Sequence, residues 1–162
     1  MAEIVIALDV GEARIGLARG ELGSPFAFGR GYLERTGDVD ADVGAVAEVV
    51  LREGAERLVV GLPRRTDGRD SRQTQRVREF IASLKQAGQK VDVEDERFTT
   101  RLATSQILGS GRSRSSRREK GRVDEASAVL ILETYLTRLA RGAADNESDN
   151  ENGSENGSEN ES

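Results

Sequence analysis

The chain has 162 residues, of which 36% are hydrophobic and 33% charged, and a net charge of −5; this length suits one domain with a real core and is too short for two substantial ones. It contains no cysteine and no histidine, which excludes disulfides, thiolate nucleophiles, imidazole catalysis and zinc sites built from those side chains. Any metal ion must therefore be held by oxygen ligands, which favours Mg²⁺ or Mn²⁺.

The first part of the chain is predicted to form three strands. Apolar runs separated by turns that contain Gly or Pro indicate strands over Glu3–Leu8, Arg14–Arg19 and Phe26–Leu33. Strands that follow one another so closely favour an antiparallel meander.

The start, "MAEIVIAL", has no basic stretch before its short apolar run and does not resemble a signal peptide. No apolar run approaches the roughly 20 residues of a membrane span, so we expect a cytoplasmic protein that does not enter a membrane.

The middle of the chain alternates helices and strands. Apolar residues at helical spacing predict helices over Asp42–Arg52 and Gln73–Leu84, and short apolar runs predict strands in "RLVVGLP" and "KVDVEDE". The segment "PRRTDGRDS" is predicted to be a loop.

Two more helices are predicted on either side of a basic segment. The first covers Thr100–Leu108, with Thr99 or Thr100 as its cap, and the second covers Asp124–Leu139. Between them, "GSGRSRSSRREKGR" has six basic residues, one acid and no apolar side chain. This composition predicts a mobile loop.

The end of the chain differs in composition from the rest. After Arg141 there is no basic residue, and seven acidic residues follow. The stretch "NESDNENGSENGSENES" contains no apolar side chain, so it cannot bury enough surface to offset its ordering entropy. We therefore predict a domain over residues 1–141 and a disordered acidic tail over residues 142–162.

The order β-β-β-α-β-α-β-α-α predicts an α/β fold, a mixed five-stranded sheet with helices on both faces. In open α/β sheets, sites gather outside the carboxyl ends of the parallel strands. Three acidic positions lie at the ends of elements that reach this edge. They are Asp9 after the first strand, Asp95 or Glu96 after the last strand, and Asp124 at the start of the last helix.

These acids are candidates for a metal site. Divalent ions held by such carboxylates can activate water and stabilise a leaving oxygen in phosphodiester cleavage, and this chemistry needs no histidine. Each acid also has a structural interpretation. Asp9 can be a turn residue, Asp124 a helix cap, and Glu96 the ion-pair partner of a neighbouring arginine.

Four segments resemble the sequence blocks of a known family. The segments "ALDVGEARIGLA", "VVGLPRRTDGRDSRQTQRVREF", "DERFTT" and "GRVDEASAVLILETYL" are similar, in order and spacing, to the four blocks of the YqgF (RuvX) family. The resemblance covers nearly everything up to Arg141. It implies an RNase H-like fold related to that of the Holliday-junction resolvase RuvC. Members are described as candidate nucleases for pre-16S rRNA, and some as junction resolvases.

The resemblance also implies roles for particular residues. Asp9, Glu96 and Asp124 match the acidic positions of the first, third and fourth blocks, so they would form a catalytic triad that binds Mg²⁺ or Mn²⁺. RuvC-type sites use a fourth carboxylate one helical turn further on, where this chain has Ser127. Glu125 can join the site, but a residue next to Asp124 points about 100° away on a helix.

Basic residues flank the proposed site in two clusters, and both are candidates for binding nucleic-acid phosphates. The first cluster comprises Arg64, Arg65, Arg69 and Arg72, and the second comprises Arg112, Arg114, Arg117, Arg118, Lys120 and Arg122. Only 4% of the residues are aromatic, so there is no platform for stacking single-stranded bases. The expected partner is a structured RNA such as pre-rRNA, or branched DNA. The alternative is that the second cluster is a solvated charge run without a partner.

Two other classes of function remain open at this point. "LDVGEARIGLA" also resembles the phosphate loop of the actin, Hsp70 and sugar-kinase ATPases, but a chain of this length lacks the second half of their cleft. The other class is a ribosome-associated module that binds nucleic acid without catalysis, and the intact Asp9, Glu96 and Asp124 argue against it. Junction cleavage needs two symmetric sites, so a homodimer would support resolution and a monomer would favour rRNA processing.

Overall fold

The computed structural model describes residues 2–64, 70–96 and 117–151, and in the last range the side chains of residues 118–144. Within these ranges the chain forms one five-stranded sheet with helices on both of its faces. The predicted α/β class and the predicted sheet are confirmed.

The strands are β1 Ile4–Val10, β2 Arg14–Glu21, β3 Ala27–Glu34, β4 Arg57–Leu62 and β5 Val91–Asp95. The helices are α1 Val39–Glu53, α2 Arg72–Gln86 and α3 Arg117–Glu151. The predicted helix Thr100–Leu108 lies outside the described residues.

The sheet has the strand order β3-β2-β1-β4-β5. β1, β2 and β3 pair antiparallel, which confirms the predicted meander, whereas β4 pairs parallel with both β1 and β5. The carboxyl ends of β1, β4 and β5 therefore meet at one edge of the sheet.

Alternating side chains of the central strand face two different cores. Ile6, Leu8 and Val10 pack with residues of α1 and α2, whereas Val5 and Ala7 pack with residues of α3. Because successive residues of a strand point to opposite faces, a strand buried on both faces is apolar throughout, as "IVIAL" is. The next residue in the alternation, Asp9, faces α3.

The two helices on one face begin and end with polar caps. Asp38 caps α1, and Gly54 ends it with a φ of 65°, where glycine avoids the strain that a side chain would bring. Ser71 and Thr74 form a capping box at the start of α2. The predicted helices Asp42–Arg52 and Gln73–Leu84 are thus confirmed, with ends that differ by one to three residues.

Helix α3 begins earlier than the sequence predicted. Residues 117–122 belong to its first turns, so the prediction of a loop across this part of the basic segment is wrong. Gly121 is buried, and the ring of Tyr32 lies directly over it. This contact joins residues far apart in sequence, and it stabilises helical turns that have no apolar periodicity of their own.

Helix α3 also ends later than predicted. Its backbone is helical through Glu151, so the structure differs from the predicted tail over residues 142–151. Ala143 and Ala144 favour a helix, and Ala144 lines a groove with residues of the turn between β2 and β3. Residues 152–162 lie outside the described residues, where disorder stays a prediction. In the described part of the chain, no helix has the length and apolar character needed to cross a membrane.

Candidate active site

Asp9 is a buried residue of β1 and does not lie in the turn that follows. It is 2% exposed and pairs with Gly16 of β2. The turn begins beyond it, where the amide of Gly11 donates to the carbonyl of Arg14 at 2.8 Å. The interpretation of Asp9 as a turn residue is therefore wrong. A carboxylate in the centre of a sheet costs free energy unless a charged or hydrogen-bonding group compensates it.

Two glycines clear space on either side of Asp9. A Cβ at Gly16 would overlap the carbonyl group of Asp124, so the backbone of α3 lies directly on β2 at this point. A Cβ at Gly61 would come within 2.5 Å of Glu96 Oε1. Gly61 follows Val60, which pairs with Leu8, so it continues the register beside Asp9. Both predicted partners of Asp9 thus approach through gaps that only glycine leaves.

Asp124 lies well inside helix α3. The helix begins at Arg117, so Asp124 is about two turns from its start and cannot cap it. The interpretation of Asp124 as a helix cap is wrong. Its carboxylate Oδ2 accepts from Arg14 Nε at 2.8 Å.

Asp95 and Glu96 differ in what they approach. Asp95 lies 3.6 Å from Arg64 Nη1, and that arginine also approaches Asp70 at 3.7 Å. Glu96 follows the end of β5 and reaches Gly61, next to Asp9. Of these two neighbouring acids, which the residues alone could not separate, Glu96 is the one whose carboxylate reaches the strand residue beside Asp9.

The donor chemistry of these residues suits a hard divalent cation. All three are carboxylates, and Mg²⁺ and Mn²⁺ prefer such oxygen ligands. The backbone of Asp124 lies at Gly16 and the carboxylate of Glu96 lies at Gly61, the strand residues beside Asp9. However, no set of three acidic side chains stands at metal-binding distance across the residues that the structure describes.

Glu125 points away from this group and anchors β3. The register of β3 shifts between the pairs Gly16–Tyr32 and Ala18–Gly29, which marks a bulge. The amide of Gly31, in this bulge, donates to Glu125 Oε2. The same side chain covers Gly29, where a Cβ would come within 2.6 Å of its Cδ atom. Glu125 thus fixes this part of α3 against β3, and this contact helps to position Asp124.

The turn after Asp9 is held by side chains from two other elements. Arg35 Nη1 donates to the carbonyl of Gly11 at 3.0 Å, and Gln73 Nε2 donates to the carbonyl of Val10 at 3.3 Å. Arg35 is itself held by Asp42 of α1, with Nε and Oδ2 3.1 Å apart. Asp42 is 3% exposed and also accepts from the amide and hydroxyl of Thr36, each at 3.0 Å.

Asp42 gives the fold a dependence on pH. Burial raises the pKa of Asp42, but the hydrogen bonds from Thr36 and Arg35 together outweigh it, so the pKa lies below its ordinary value of 3.8. A lowered pKa stabilises the fold above pH 3.8, and this stabilisation is lost as the pH falls through the folded-state value.

We expect Asp42→Asn to lower the free energy of unfolding at pH 7 by about 2 kcal/mol, because it removes charge-assisted hydrogen bonds to a buried group. Below pH 3.8 the difference from the parent protein should shrink. Urea unfolding between pH 7 and pH 3 measures both effects. Asp40→Asn, an exposed change in the same helical turn, is the matched control. Equal stabilities of the Asp42→Asn and parent proteins at pH 7 would contradict this role.

Further along α3, a second set of polar contacts fixes the helix to the sheet. Tyr135, which is 1% exposed, donates to Asp92, and Arg57 Nη1 donates to the Tyr135 hydroxyl at 3.0 Å. Burial, together with the hydrogen bond to Asp92, raises the pKa of Tyr135, so it stays a donor near neutral pH. Arg138 Nη2 donates to the buried Glu94 at 2.8 Å. These contacts hold α3 in register with β4 and β5.

The predicted nucleic-acid ligands are only partly described. Five lie outside the described side chains: Arg65, Arg69, Arg112, Arg114 and Arg117. Arg64 lies in ion-pair range of Asp70 and Asp95, and Arg72 is exposed at the start of α2. Arg118, Lys120 and Arg122 are exposed on the first turns of α3, the same turns that lead to Asp124.

Three residues that shape this site are absent from the sequence-based prediction. Gly16 and Gly61 carry a usable signal, because a glycine inside a strand often marks a place where another backbone or side chain approaches closely. Arg14 carries none. Its partner Asp124 is 110 positions away, and no local pattern connects an arginine with an acid at that separation.

The sequence is similar to those of proteins described as nucleases. A family model described as RuvX, Holliday junction resolvase, matches residues 3–138. The chain is 50% identical over 132 residues to a Thermus thermophilus protein described as a candidate pre-16S rRNA nuclease, and the match covers 82% of this chain and 96% of that protein. It is 45% identical over 136 residues to the Deinococcus radiodurans protein named ribonuclease YqgF, covering 83% and 88%.

Among solved structures, RuvC of Thermus thermophilus in complex with a Holliday junction substrate has the same fold. The TM-score is 0.53 at 17% sequence identity, over 86% of this chain and 96% of that one. The structure of Thermus thermophilus RuvC without a stated substrate gives a TM-score of 0.51. The expected RNase H-like fold is confirmed.

Proposed function

This chain belongs to the RuvX family, and from that membership and its site geometry we propose that it is a divalent-metal-dependent nuclease that processes the precursor of 16S rRNA. Of the two relatives compared above, the one from Thermus thermophilus is named for pre-16S rRNA cleavage and the one from Deinococcus radiodurans is named as a ribonuclease. The observation that carries the proposal is that the backbone of Asp124 lies against Gly16 and the carboxylate of Glu96 reaches Gly61, the strand residues on either side of the buried Asp9. Processing of a ribosomal precursor would place the protein in the cytoplasm.

Each of the three acids has a defined part in this proposal. Asp9 is fixed by the central strand, Asp124 by a helix packed on β2, and Glu96 by the end of β5. Carboxylates fixed by three separate elements would hold Mg²⁺ or Mn²⁺ with little rearrangement of the backbone. A cation held there would neutralise charge on the phosphate and activate water for hydrolysis. No histidine or cysteine competes for the role of ligand.

The charges at the start of α3 suit a polyanionic substrate. Arg118, Lys120 and Arg122 occupy the N-terminal turns of the helix. In the first of these turns the helix dipole disfavours a positive side chain by about 0.3 to 1 kcal/mol. A nucleic-acid phosphate placed there would compensate the positive side chains and would suit the positive end of the helix dipole. We therefore assign these turns to the substrate backbone.

The test is cleavage by the purified full chain with Mg²⁺ or Mn²⁺. A fragment that carries the 5′ end of the 16S precursor and a four-way DNA junction should be offered side by side, with product ends mapped on sequencing gels. We expect cleavage of the RNA that needs the metal. Cleavage of the junction alone, by a protein that light scattering shows to be a dimer, would favour resolution instead. Binding without cleavage of either substrate would indicate a non-catalytic module.

Replacing Arg118, Lys120 and Arg122 together by Ala should weaken binding of duplex RNA by roughly tenfold or more at low salt. The slope of log affinity against log salt should flatten by about 0.7 to 0.9 for each phosphate that the variant no longer neutralises. The weakening should be similar for different sequences, because interactions with phosphates carry no base information. Fluorescence anisotropy at several salt concentrations measures both quantities.

The matched control replaces three exposed basic residues elsewhere on the surface, Arg52, Lys90 and Arg141. It removes the same net charge and should change the affinity much less. If the two triple variants bind alike, the effect is one of net charge, and the start of α3 is not the binding surface.

A further inference from the structure

Arg14 and Asp124 form an ion pair inside the proposed site. Arg14 Nε lies 2.8 Å from Asp124 Oδ2, and the side chains are 18% and 20% exposed. Arg14 is the first residue of β2, two positions before Gly16, on which the backbone of Asp124 rests. The geometry of the helix on the strand thus places this carboxylate beside the guanidinium.

This ion pair occupies an acid that the proposed function assigns to a metal ion. A guanidinium and a divalent cation both need the negative charge of the carboxylate, so each must weaken the binding of the other. In the structure the carboxylate of Asp124 faces the guanidinium of Arg14 at 2.8 Å. A cation that binds this carboxylate must therefore displace Arg14.

Arg14 is also well placed for a second partner. Once separated from Asp124, its guanidinium would stay at the carboxyl edge of β1, where the phosphate to be cleaved must lie. Arginine binds phosphate oxygens through two parallel N–H donors, which suits charge stabilisation at a phosphate. Two charged groups can therefore exchange partners without any large movement of the backbone.

We propose that Arg14 is an exchange residue, which holds Asp124 while no metal is bound, gives up that carboxylate to the cation, and then donates to the substrate phosphate. The inference rests on the proposed function, since it takes Asp124 to be a metal ligand. It predicts an unusual pair of effects in one variant. Removing the guanidinium makes metal binding tighter and phosphate hydrolysis slower.

The first measurement is calorimetric titration of the full chain with Mn²⁺ in the absence of nucleic acid. Arg14→Gln should bind Mn²⁺ about two- to fivefold more tightly than the parent protein, the range expected for release from a partly exposed ion pair. Arg19→Gln is the matched control, because Arg19 lies on the same strand and faces Glu53 at 3.3 Å. It should bind Mn²⁺ as the parent does.

The second measurement is cleavage at saturating Mn²⁺. Arg14→Gln should lower kcat by about 100-fold, as expected for removal of a donor to the reacting phosphate, and Arg14→Lys should recover part of it. A purely structural role of Arg14 would weaken metal binding and cleavage together. Unchanged Mn²⁺ affinity in both Arg14→Gln and Arg14→Lys, or full cleavage by Arg14→Gln, would overturn the inference.

The outcomes separate this inference from the proposed function. If the parent binds Mn²⁺ and Asp9→Asn does not, the metal site stands, and equal affinity of Arg14→Gln and parent refutes only the role of Arg14. If parent, Arg14→Gln and Asp9→Asn all fail to bind Mn²⁺, the metal site itself is wrong. In the background of Asp124→Asn, Arg14→Gln should no longer change the affinity for Mn²⁺.

Discussion

Asp9→Asn is expected to lower the rate of phosphodiester hydrolysis by about 10³-fold or more, which corresponds to about 4 kcal/mol of transition-state stabilisation. The substitution keeps the size of the side chain and its place on β1 but removes the charge that a divalent cation requires. Cleavage of the precursor RNA at saturating Mg²⁺, measured for parent and variant, tests the expectation. Glu48→Gln, which removes an exposed charge from α1, should leave the rate unchanged.

Stability distinguishes a catalytic Asp9 from a structural one. Because neighbouring carboxylates repel one another without metal, the metal-free Asp9→Asn protein should melt at the same temperature as the parent or slightly higher. A marked fall in melting temperature would show that the buried carboxylate supports the fold. Undiminished hydrolysis by a folded variant would show that it takes no part in catalysis.

Gly16→Ala is expected to lower the free energy of unfolding by about 3 kcal/mol. The new Cβ would overlap the carbonyl group of Asp124 and lie 2.9 Å from the amide of Glu125. Both neighbours are backbone atoms of α3, so no side chain can rotate away, and the helix must shift. Better strand propensity of Ala offsets only about 0.5 to 1 kcal/mol of this cost. Chemical unfolding measures the difference.

Gly44→Ala is the matched control for this change. Gly44 lies inside α1, and a Cβ there would meet nothing within 4 Å. Ala should therefore raise the free energy of unfolding by about 0.5 to 1 kcal/mol, the opposite sign.

Gly16→Ala should also reduce hydrolysis, because the shift of α3 moves Asp124. Equal stability of the Gly16→Ala and parent proteins would show that α3 does not lie against β2 as described.

The central sheet could be predicted because its strands carry local signals. Residues Ile4–Leu8 are apolar without interruption, which is typical of a strand covered on both faces, and helices do cover both. The two helices on one face have apolar periodicity and polar caps within their own sequence. Such signals depend on residues within a few positions of one another.

The start of α3 could not be predicted in this way. Residues 117–122 have the composition of a loop, and they are helical because Tyr32 covers Gly121 and Glu125 binds the bulge at Gly31. These contacts join residues about 90 positions apart, as for Gly31 and Glu125. The local sequence therefore predicts Asp124 at the beginning of a helix, whereas it lies two turns inside it.

The sequence by itself determined the α/β class, the antiparallel meander and the acids that are candidate metal ligands. It could do so because strand alternation, helical periodicity and residue chemistry are local properties. Only the tertiary structure decided that Asp9 is buried within a strand, that the carboxylate of Glu96 lies at Gly61, and that Asp124 faces Arg14. The physical reason is that approach distances depend on which elements pack together. A glycine allows close approach, and an acid forms an ion pair, only where another element of the fold packs against that residue.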